Sequence, residues 1–386
     1  MRGYIKKRGK DSYSCRVSLG KNADGKYRFH SETIRGNKKD AEKHLSEMYS
    51  QLDNGTFIKP TKTTLSEYLD RWLKDYVWPN LAPRTSEGYE YICRHNLIPS
   101  LGNITLSNLK PEHLQKYYSE KISAGLNALT VRHHHTALHK ALQTAVEWGL
   151  LSKNPADAIR LPRIRQSEMQ TWREGEIHAF LDSIKSSSYY PLFYLALYSG
   201  MRRSELLALR WCDVDLLLCE AYVTRALHVL KGGKVLISPP KTAKGRRMVT
   251  LPPSAVIVLR EHKEKQRQDY MMAGKSMADE DLIFTTLEGK PLLPNTVTHV
   301  WEKLVRRAGV KRIRLHDARH SHATLLLKQG IHPKIVQERL GHASIQITLD
   351  RYSHVAPGLQ VAAAKRFDEA LTVGYNDREK EVVENV

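Results

Sequence analysis

The stretch that most constrains the structure of this chain lies near its C-terminal end, between His316 and Tyr352. His316 and Arg319 are three positions apart, so a helix there would place both side chains on one face. Gly341 suits the end of a second helix, and His342 follows it where backbone N–H groups of the next segment lack partners. The spacing therefore predicts a helical region in which two histidines and an arginine lie close to a tyrosine.

Two cationic motifs precede this stretch. Arg202 follows Gly200 and precedes Glu205, a pattern that predicts an arginine at the start of a helix. Lys241 lies on or beside a hairpin, from which it can swing onto a substrate. This placement follows from short apolar runs that predict three strands, at 222–224, 235–237 and 248–251.

Together these motifs resemble those of the tyrosine recombinases, the phage-integrase family. The matching motifs, in the family's order between residues 170 and 356, are Gly200-Met201-Arg202 with Glu205, Pro240-Lys241-Thr242, His316-Asp317-Ala318-Arg319, Leu340-Gly341-His342 and Tyr352. Any one motif is a weak signal, but five in order are a strong one. The one small departure is Ser199, where many members carry threonine.

The resemblance implies a role for each of these residues. The catalytic set is Arg202, Lys241, His316, Arg319, His342 and Tyr352, with Glu205 and Asp317 as supporting residues. Tyr352 would attack a DNA phosphodiester and form a 3′-phosphotyrosine linkage, which stores the energy of the bond. Arg202 and Arg319 would clamp the phosphate, because a guanidinium fork matches two phosphate oxygens. His316 would be the base, Lys241 the acid for the leaving 5′-oxygen, and His342 a donor to the phosphate.

The residue types also bear on the use of metals. Nucleases often neutralise the charge that develops on a phosphodiester with Mg²⁺ held by clustered carboxylates. The motifs here contain fixed cations and no such carboxylate cluster, so no metal and no cofactor are expected. The run from His133 to His135, with His139, is interpreted as packing or surface histidines rather than as a metal site, since His135 shares a stripe with Val131 and Leu138.

The composition favours a polyanionic partner. The 386 residues include 61 Lys and Arg against 41 Asp and Glu, and each cation at a phosphate releases condensed counterions. An acidic membrane surface would also suit this charge. However, residues 1–10 lack the apolar core of a signal peptide, and the most apolar stretch, 192–201, is shorter than the roughly 20 residues that span a bilayer. The four cysteines form no C-x-x-C pair, which indicates a reducing cytosol.

The chain is expected to be multidomain and mainly α-helical. Its predicted parts are a small β-sheet-plus-helix N-terminal domain at 1–60, an all-helical domain at 61–160, a hinge at 161–171, a mixed α+β catalytic domain at 172–375 and a disordered tail at 376–386. The first two parts resemble the arm-type DNA-binding and core-binding domains of longer integrases. A helical pattern at 358–371 would dock onto a neighbouring protomer, as in this family, or pack within its own domain.

Period-two alternation predicts the structure of the N-terminal domain. Apolar residues alternate with polar ones from Ser12 to Leu19, Asp24-Gly25 marks a turn, and 27–34 returns as the partner strand. A two-stranded ribbon can enter a major groove, so this basic sheet is interpreted as DNA-binding, with Arg16 and Arg28 as candidate contacts. The alternative is a solvated basic strand face.

The helical domain is predicted to begin at a capping box, Thr64-Leu65-Ser66-Glu67. Aromatic residues on its first helix recur at helical spacing, so they are interpreted as core rather than as platforms that stack on bases. Further helices are expected after Pro83, from Pro111, and from Thr130 to Trp148.

We interpret the chain as a site-specific tyrosine recombinase of the integrase type, serving a phage or other mobile element in integration and excision. Its expected partners are double-stranded DNA at attachment sites, further copies of itself in a DNA-bound homotetramer, and accessory DNA-bending or excision factors. It is expected in the cytoplasm, at the nucleoid, with no membrane association. A type IB topoisomerase shares this chemistry, but the three-part layout and the Leu-Gly-His motif count against it. A non-enzymatic DNA-binding regulator would need the charge but not the five motifs.

Overall fold

The structure, a computed structural model, covers most of the chain. It describes residues 3–21, 24–53, 62–164, 169–240, 243–352, 364 and 367–369, with the backbone alone at 243 and 350–352. The chain divides into two compact units, 1–166 and 167–386. Helices predominate and each unit contains small antiparallel sheets or strand pairs, which confirms the predicted multidomain, mainly α class. None of the described helices is long and apolar enough to cross a membrane.

The secondary-structure elements follow one another in a simple order. The helices are α1 Lys38–Asp53, α2 Leu65–Trp72, α3 Trp78–Asn80, α4 Pro83–Ile92, α5 Ile98–Leu101, α6 Pro111–Ser123, α7 Ala128–Glu147, α8 Glu174–Ser183, α9 Tyr190–Ser199, α10 Arg203–Leu206, α11 Pro253–Met272, α12 Pro294–Arg307, α13 Leu315–Lys328, α14 Pro333–Leu340 and α15 Ile345–Tyr352. The strands are β1 Gly3–Gly9, β2 Ser12–Lys21, β3 Tyr27–Arg35, β4 Val214–Asp215, β5 Glu220–Val223, β6 Ala226–Val229, β7 Val235–Ser238 and β8 Arg247–Thr250.

The N-terminal sheet is antiparallel with the order β1-β2-β3, and α1 packs on one of its faces. Cys15 and Val17 of β2 are buried in one cluster with Ala41 and Met48 of α1, because alternate side chains of a strand share a face. Gly25 lies in the hairpin turn with a φ of +76°. The predicted hairpin and helix are therefore confirmed. Strand β1 was missed, because only two of its seven residues are apolar and no alternation is visible.

The helical part of the first unit has its own core. Thr64 caps α2 as predicted, since its hydroxyl accepts from the Glu67 amide and the Glu67 carboxylate accepts from the Thr64 amide. Trp72 is fully buried in that core, so the first helix uses its aromatic residues for packing, as predicted. His134 is also buried and bonds through Nδ1 with the Tyr117 hydroxyl at 2.9 Å. The histidine run thus contributes to packing.

The second unit is built around an aromatic cluster. The Trp301 ring centroid on α12 lies 4.8 to 5.2 Å from those of Phe180 on α8, Phe193 on α9 and Trp172. Two antiparallel groups of strands accompany the helices, with the orders β4-β5-β8 and β6-β7. The three predicted strands correspond to β5, β7 and β8. Strands β4 and β6 are additional. Strand β4 has only two residues, and His228 interrupts the apolar run of β6.

Gly200 ends α9 in a left-handed backbone conformation with a φ of +65°. A Cβ there would lie 2.6 Å from His322 Cδ2 and 2.9 Å from Leu340 Cδ2, both of buried residues. We expect Gly200→Ala to lower the free energy of unfolding by about 2 to 5 kcal/mol, which combines left-handed strain with overpacking. Urea unfolding would measure this change.

Gly274→Ala is the matched control for this prediction. Gly274 has a similar φ of +69°, but nothing lies within 4 Å of the Cβ position. Its substitution should therefore cost only the strain, about 1 to 2 kcal/mol. Equal losses in the two variants would contradict the proposed contact of residue 200 with His322.

Candidate active site

The C-terminal end of α14 is the centre of the candidate site. Gly341 ends this helix in a left-handed conformation with a φ of +66°, in agreement with the sequence analysis. The last carbonyls of a helix have no partners within the helix and carry a partial negative charge. In this structure they accept hydrogen bonds from arginines of α13, β8 and the start of α10.

Arg319 and Arg202 donate to consecutive carbonyls at this helix end. Arg319 is buried on α13, and it donates from Nη2 to Leu340 O at 2.6 Å and from Nη1 to Gly200 O at 2.7 Å. Arg202 is the N-cap of α10, and it donates from Nη2 to Gly341 O at 3.1 Å. Two guanidinium groups from distant parts of the sequence are thus held at neighbouring peptide groups.

Glu205 holds the other side of Arg202. Its carboxylate, which is 3% exposed, accepts from Arg202 Nη1 at 2.7 Å, from the Arg202 amide at 2.9 Å and from Arg247 Nη2 at 2.9 Å. Burial alone would raise the pKa of Glu205, but the hydrogen bonds and charges of Arg247 and Arg202 outweigh burial and hold the pKa below its usual range. The carboxylate therefore stays ionised and orients both arginines.

His342 lies directly after the helix end and is buried. Its Nδ1 is 2.9 Å from Thr348 Oγ1 on α15, and its backbone carbonyl accepts from Gln337 Nε2 at 2.6 Å. The ring is therefore fixed between α14 and α15. Tyr352 is the last residue of α15.

His316 and Asp317 occupy the first turn of α13, as predicted for a helix in this segment. His316 is exposed and stacks edge to face with His320, at 5.0 Å between ring centroids. It lies one turn before Arg319. Asp317 is buried and accepts from the backbone amide and the guanidinium of Arg314, so it caps its own helix.

The remaining candidate residues from the sequence analysis are Lys241, Arg16 and Arg28. Lys241 lies outside the described residues, although Lys244, a little further along, donates from Nζ to Ala343 O at 2.7 Å. Arg16 and Arg28 belong to the first unit. The register pairs Arg16 with Ser31 and Val17 with His30, so alternation places Arg16 and Arg28 on opposite faces of the sheet, with Arg28 on the side of α1.

Sequence reasoning missed a second layer of cations and a neutral histidine. Arg247 was not singled out, and neither was Arg339, which donates to His322 Nε2 at 3.0 Å, Thr250 O at 2.9 Å and Tyr198 O at 3.1 Å. Burial, and then the charge of Arg339, lower the pKa of His322 to about 3. Among 61 Lys and Arg, no spacing distinguishes these arginines, because their partners are distant in sequence.

The neutral state of His322 predicts sensitivity to acid. In the unfolded chain this histidine protonates near pH 6.5, whereas in the folded protein it stays neutral down to about pH 3. The unfolded state therefore binds the extra proton between these values, and stability falls as the pH falls. Between pH 7 and 5 the loss from this residue should be about 2 kcal/mol. Urea unfolding at both pH values would measure it.

His322→Gln should lose this component of the pH dependence. His299→Gln is the matched control, because His299 is exposed on α12, and this variant should keep the wild-type dependence. The same loss of stability between pH 7 and 5 in wild type and His322→Gln would contradict the assignment.

Comparisons with known proteins identify the family. The model described as Phage integrase family matches residues 170–358, and that described as Phage integrase, N-terminal SAM-like domain, matches 64–122. A protein named Tyrosine recombinase XerC-like, from Caldanaerobacter subterraneus subsp. tengcongensis, is 29% identical over 381 residues, which cover 94% of this chain and 97% of the relative.

Solved structures show the same fold. The Tn1549 transposon integrase in complex with a circular intermediate DNA has a TM-score of 0.69 at 21% identity, over 79% of this chain and 100% of that chain. A lambda integrase tetramer bound to a Holliday junction has a TM-score of 0.56 at 20% identity, over 89% of this chain and 96% of that chain.

The fold and these matches define the class of enzyme, a tyrosine site-specific recombinase. The chain belongs to the phage integrase family and is of the phage or mobile-element type. Site-specific DNA recombination is accordingly favoured over supercoil relaxation and over non-enzymatic DNA binding.

Proposed function

We propose that the end of α14 is the phosphate-binding centre of this recombinase, with Arg202 and Arg319 as the clamp. The observation that supports this most directly is that both guanidinium groups are bonded to the carbonyls of residues 340 and 341, beside His342. Cations at fixed positions stabilise the charge that develops on the non-bridging oxygens during attack. His342 would add a further donor to the phosphate.

In this proposal Tyr352 is the nucleophile. Its oxygen forms a bond to phosphorus while the bond to the 5′-oxygen breaks, which leaves a 3′-phosphotyrosine and a 5′-hydroxyl. His316 accepts the phenol proton, and Lys241 gives a proton to the departing oxygen. Attack by the 5′-hydroxyl of another strand reverses these transfers and restores a phosphodiester, so no external energy source or cofactor is needed.

Local geometry supports these roles. Exposed His316 lies on the helix that carries Arg319, one turn before it, which leaves its ring accessible to a bound duplex. The bond between His342 and Thr348 ties the phosphate centre to α15, the helix that ends at Tyr352. Glu205 is the support of Arg202, and we propose that Asp317 supports the site only through the start of α13.

We propose the N-terminal sheet as a second DNA-binding surface, with Arg16 favoured over Arg28. The Arg16 guanidinium lies 4.2 Å from the Phe29 ring centroid and donates to the Tyr4 hydroxyl at 3.2 Å. This places Arg16 among partly exposed aromatic side chains, on the face away from α1. A strand ribbon with a fixed arginine can enter the major groove and bond to base edges.

The assembly that follows from this function is a homotetramer on paired attachment sites, as in the lambda integrase tetramer bound to a Holliday junction. Accessory DNA-bending or excision factors would set the direction of the reaction. We propose that recombination takes place at the nucleoid in the cytoplasm, where the DNA substrate lies.

We also propose that residues 1–60, 61–160 and 172–375 form the arm-type, core-binding and catalytic domains. Within the segment at 358–371 the structure describes residues 364 and 367–369, and the predicted tail at 376–386 lies outside the described residues.

The experiment that tests this function is covalent trapping. The full-length protein is incubated with nicked duplexes that carry candidate attachment sequences, so that the short strand released on cleavage diffuses away. We expect a protein–DNA adduct that mass spectrometry maps to Tyr352. Binding without any adduct would favour a regulator, and plasmid relaxation without strand exchange between two sites would favour a topoisomerase.

A further inference from the structure

Side chains donate to five consecutive carbonyls at and beyond the end of α14. The pairs are Arg247 Nε with Arg339 O (2.7 Å), Arg319 Nη2 with Leu340 O (2.6 Å), Arg202 Nη2 with Gly341 O (3.1 Å), Gln337 Nε2 with His342 O (2.6 Å) and Lys244 Nζ with Ala343 O (2.7 Å). All donors except the glutamine are cations. The C-terminal end of a helix carries a partial negative charge, which these cations stabilise. The carbonyls of the helix end in turn determine the positions of the cationic side chains.

Arg247 is the cation that connects this helix end to the rest of the site. Its side chain is 6% exposed and donates to three partners, Arg339 O at 2.7 Å, Glu205 Oε2 at 2.9 Å and Gly245 O at 3.2 Å. A Cβ at residue 341 would lie 2.9 Å from Lys244 O, 3.0 Å from Arg247 Cδ and 3.1 Å from its Nη1, so Arg247 packs directly on the end of α14. Arg247 thus bridges β8, α14 and the carboxylate that holds Arg202.

We infer that Arg247 is a positioning residue of this recombinase, which holds the arginine clamp through Glu205 and the end of α14. This inference rests on the proposed function of the site. Arg202 has two supports, the Glu205 carboxylate and the Gly341 carbonyl. Arg247 contacts the first directly, and it holds the helix end that carries the second through its bond to Arg339 O. Without Arg247 both would shift, and a displacement of about 1 Å at a catalytic group can cost about 100-fold in rate.

The same unit contains a matched arrangement that is not part of the site. Asp213 accepts from Arg210, three positions before it, and from Arg225 Nη2 at 3.0 Å. This repeats the pattern in which Glu205 accepts from Arg202 and Arg247. Arg225→Met therefore removes the second arginine from a buried carboxylate just as Arg247→Met does, but without touching α14.

The test is single-turnover cleavage of the nicked attachment duplex identified by trapping, at saturating full-length protein, together with DNA affinity. We expect Arg247→Met to cleave about 100-fold more slowly than wild type, with little change in affinity, and Arg225→Met to cleave at close to the wild-type rate. An Arg247→Met rate within about threefold of an active wild type, or an equal loss in Arg225→Met, would overturn the inference. Activity of the wild type tests the proposed function separately.

A double-mutant cycle distinguishes positioning from a merely structural role. If Arg247 acts through Arg202, adding Arg247→Met to an Arg202→Lys protein should slow cleavage by no more than about threefold. A further loss of about 100-fold would show independent effects and overturn the inference. Should Arg247→Met fail to fold, Arg247→Lys, which keeps the charge but loses the fork, replaces it in both comparisons. A wild-type rate for Arg247→Lys would then overturn the inference.

Discussion

Tyr352→Phe should form no covalent complex with a nicked attachment duplex, while its affinity for the duplex stays close to that of wild type. The substitution removes one hydroxyl and no charge, so phosphate contacts, which dominate DNA affinity, are preserved. Without the phenolic oxygen, no bond to phosphorus can form. Denaturing gels of the trapping reaction measure the adduct, and a filter-binding or fluorescence assay measures the affinity.

The control for this experiment is Tyr222→Phe. Tyr222 lies on β5, is 44% exposed, and bonds through its hydroxyl with Glu220. Tyr222→Phe therefore removes the same phenolic hydroxyl from a tyrosine outside the proposed site. This variant should form the adduct at the wild-type rate. An undiminished adduct in Tyr352→Phe would refute the assignment of the nucleophile.

Arg202→Lys should retain DNA binding but cleave about 100- to 1,000-fold more slowly than wild type, a loss typical of removing one oriented donor from a charge-stabilising site. An ammonium on a flexible stem keeps the charge but not the planar fork. Lysine has one nitrogen, so it cannot reproduce the separate bonds from Nη1 to Glu205 and from Nη2 to the Gly341 carbonyl. Single-turnover cleavage at saturating protein measures the loss.

Arg203→Lys is the matched control for the clamp. Arg203 is the next residue in the chain, but its guanidinium bonds to Pro294 O and the Thr298 hydroxyl on α12. We expect this variant to cleave at close to the wild-type rate, with any loss confined to stability. Cleavage by Arg202→Lys as fast as by Arg203→Lys would count against a clamp at residue 202.

The elements that the sequence predicted well are those governed by local chemistry. The capping box at Thr64, the alternation of β2, the helix end at Gly341 and the helix start at Arg202 depend on residues within a few positions. The five motifs identified the family in the same way, because their spacing is a property of the chain alone. Such features need no knowledge of tertiary contacts.

The supporting layer of the site could not be predicted in this way. Arg247 contacts Glu205 across 42 positions, and Arg339 contacts Thr250 across 89, so no periodicity marks either pair. Asp317 was expected to support the catalytic cations, yet it bonds to Arg314 at the start of its own helix. Arg16 and Arg28 lie on neighbouring strands of one basic sheet, but alternation places their side chains on opposite faces.

Only residues 341–344 separate α14 from α15, the helix that ends at Tyr352. The carbonyls bonded to Arg319 and Arg202 lie where this connection begins, at 340 and 341. Any withdrawal of α15 would therefore pull on the peptide groups that align the two guanidinium groups. In the proposed mechanism, the position of Tyr352 and the alignment of the two guanidinium groups would therefore be gained or lost together.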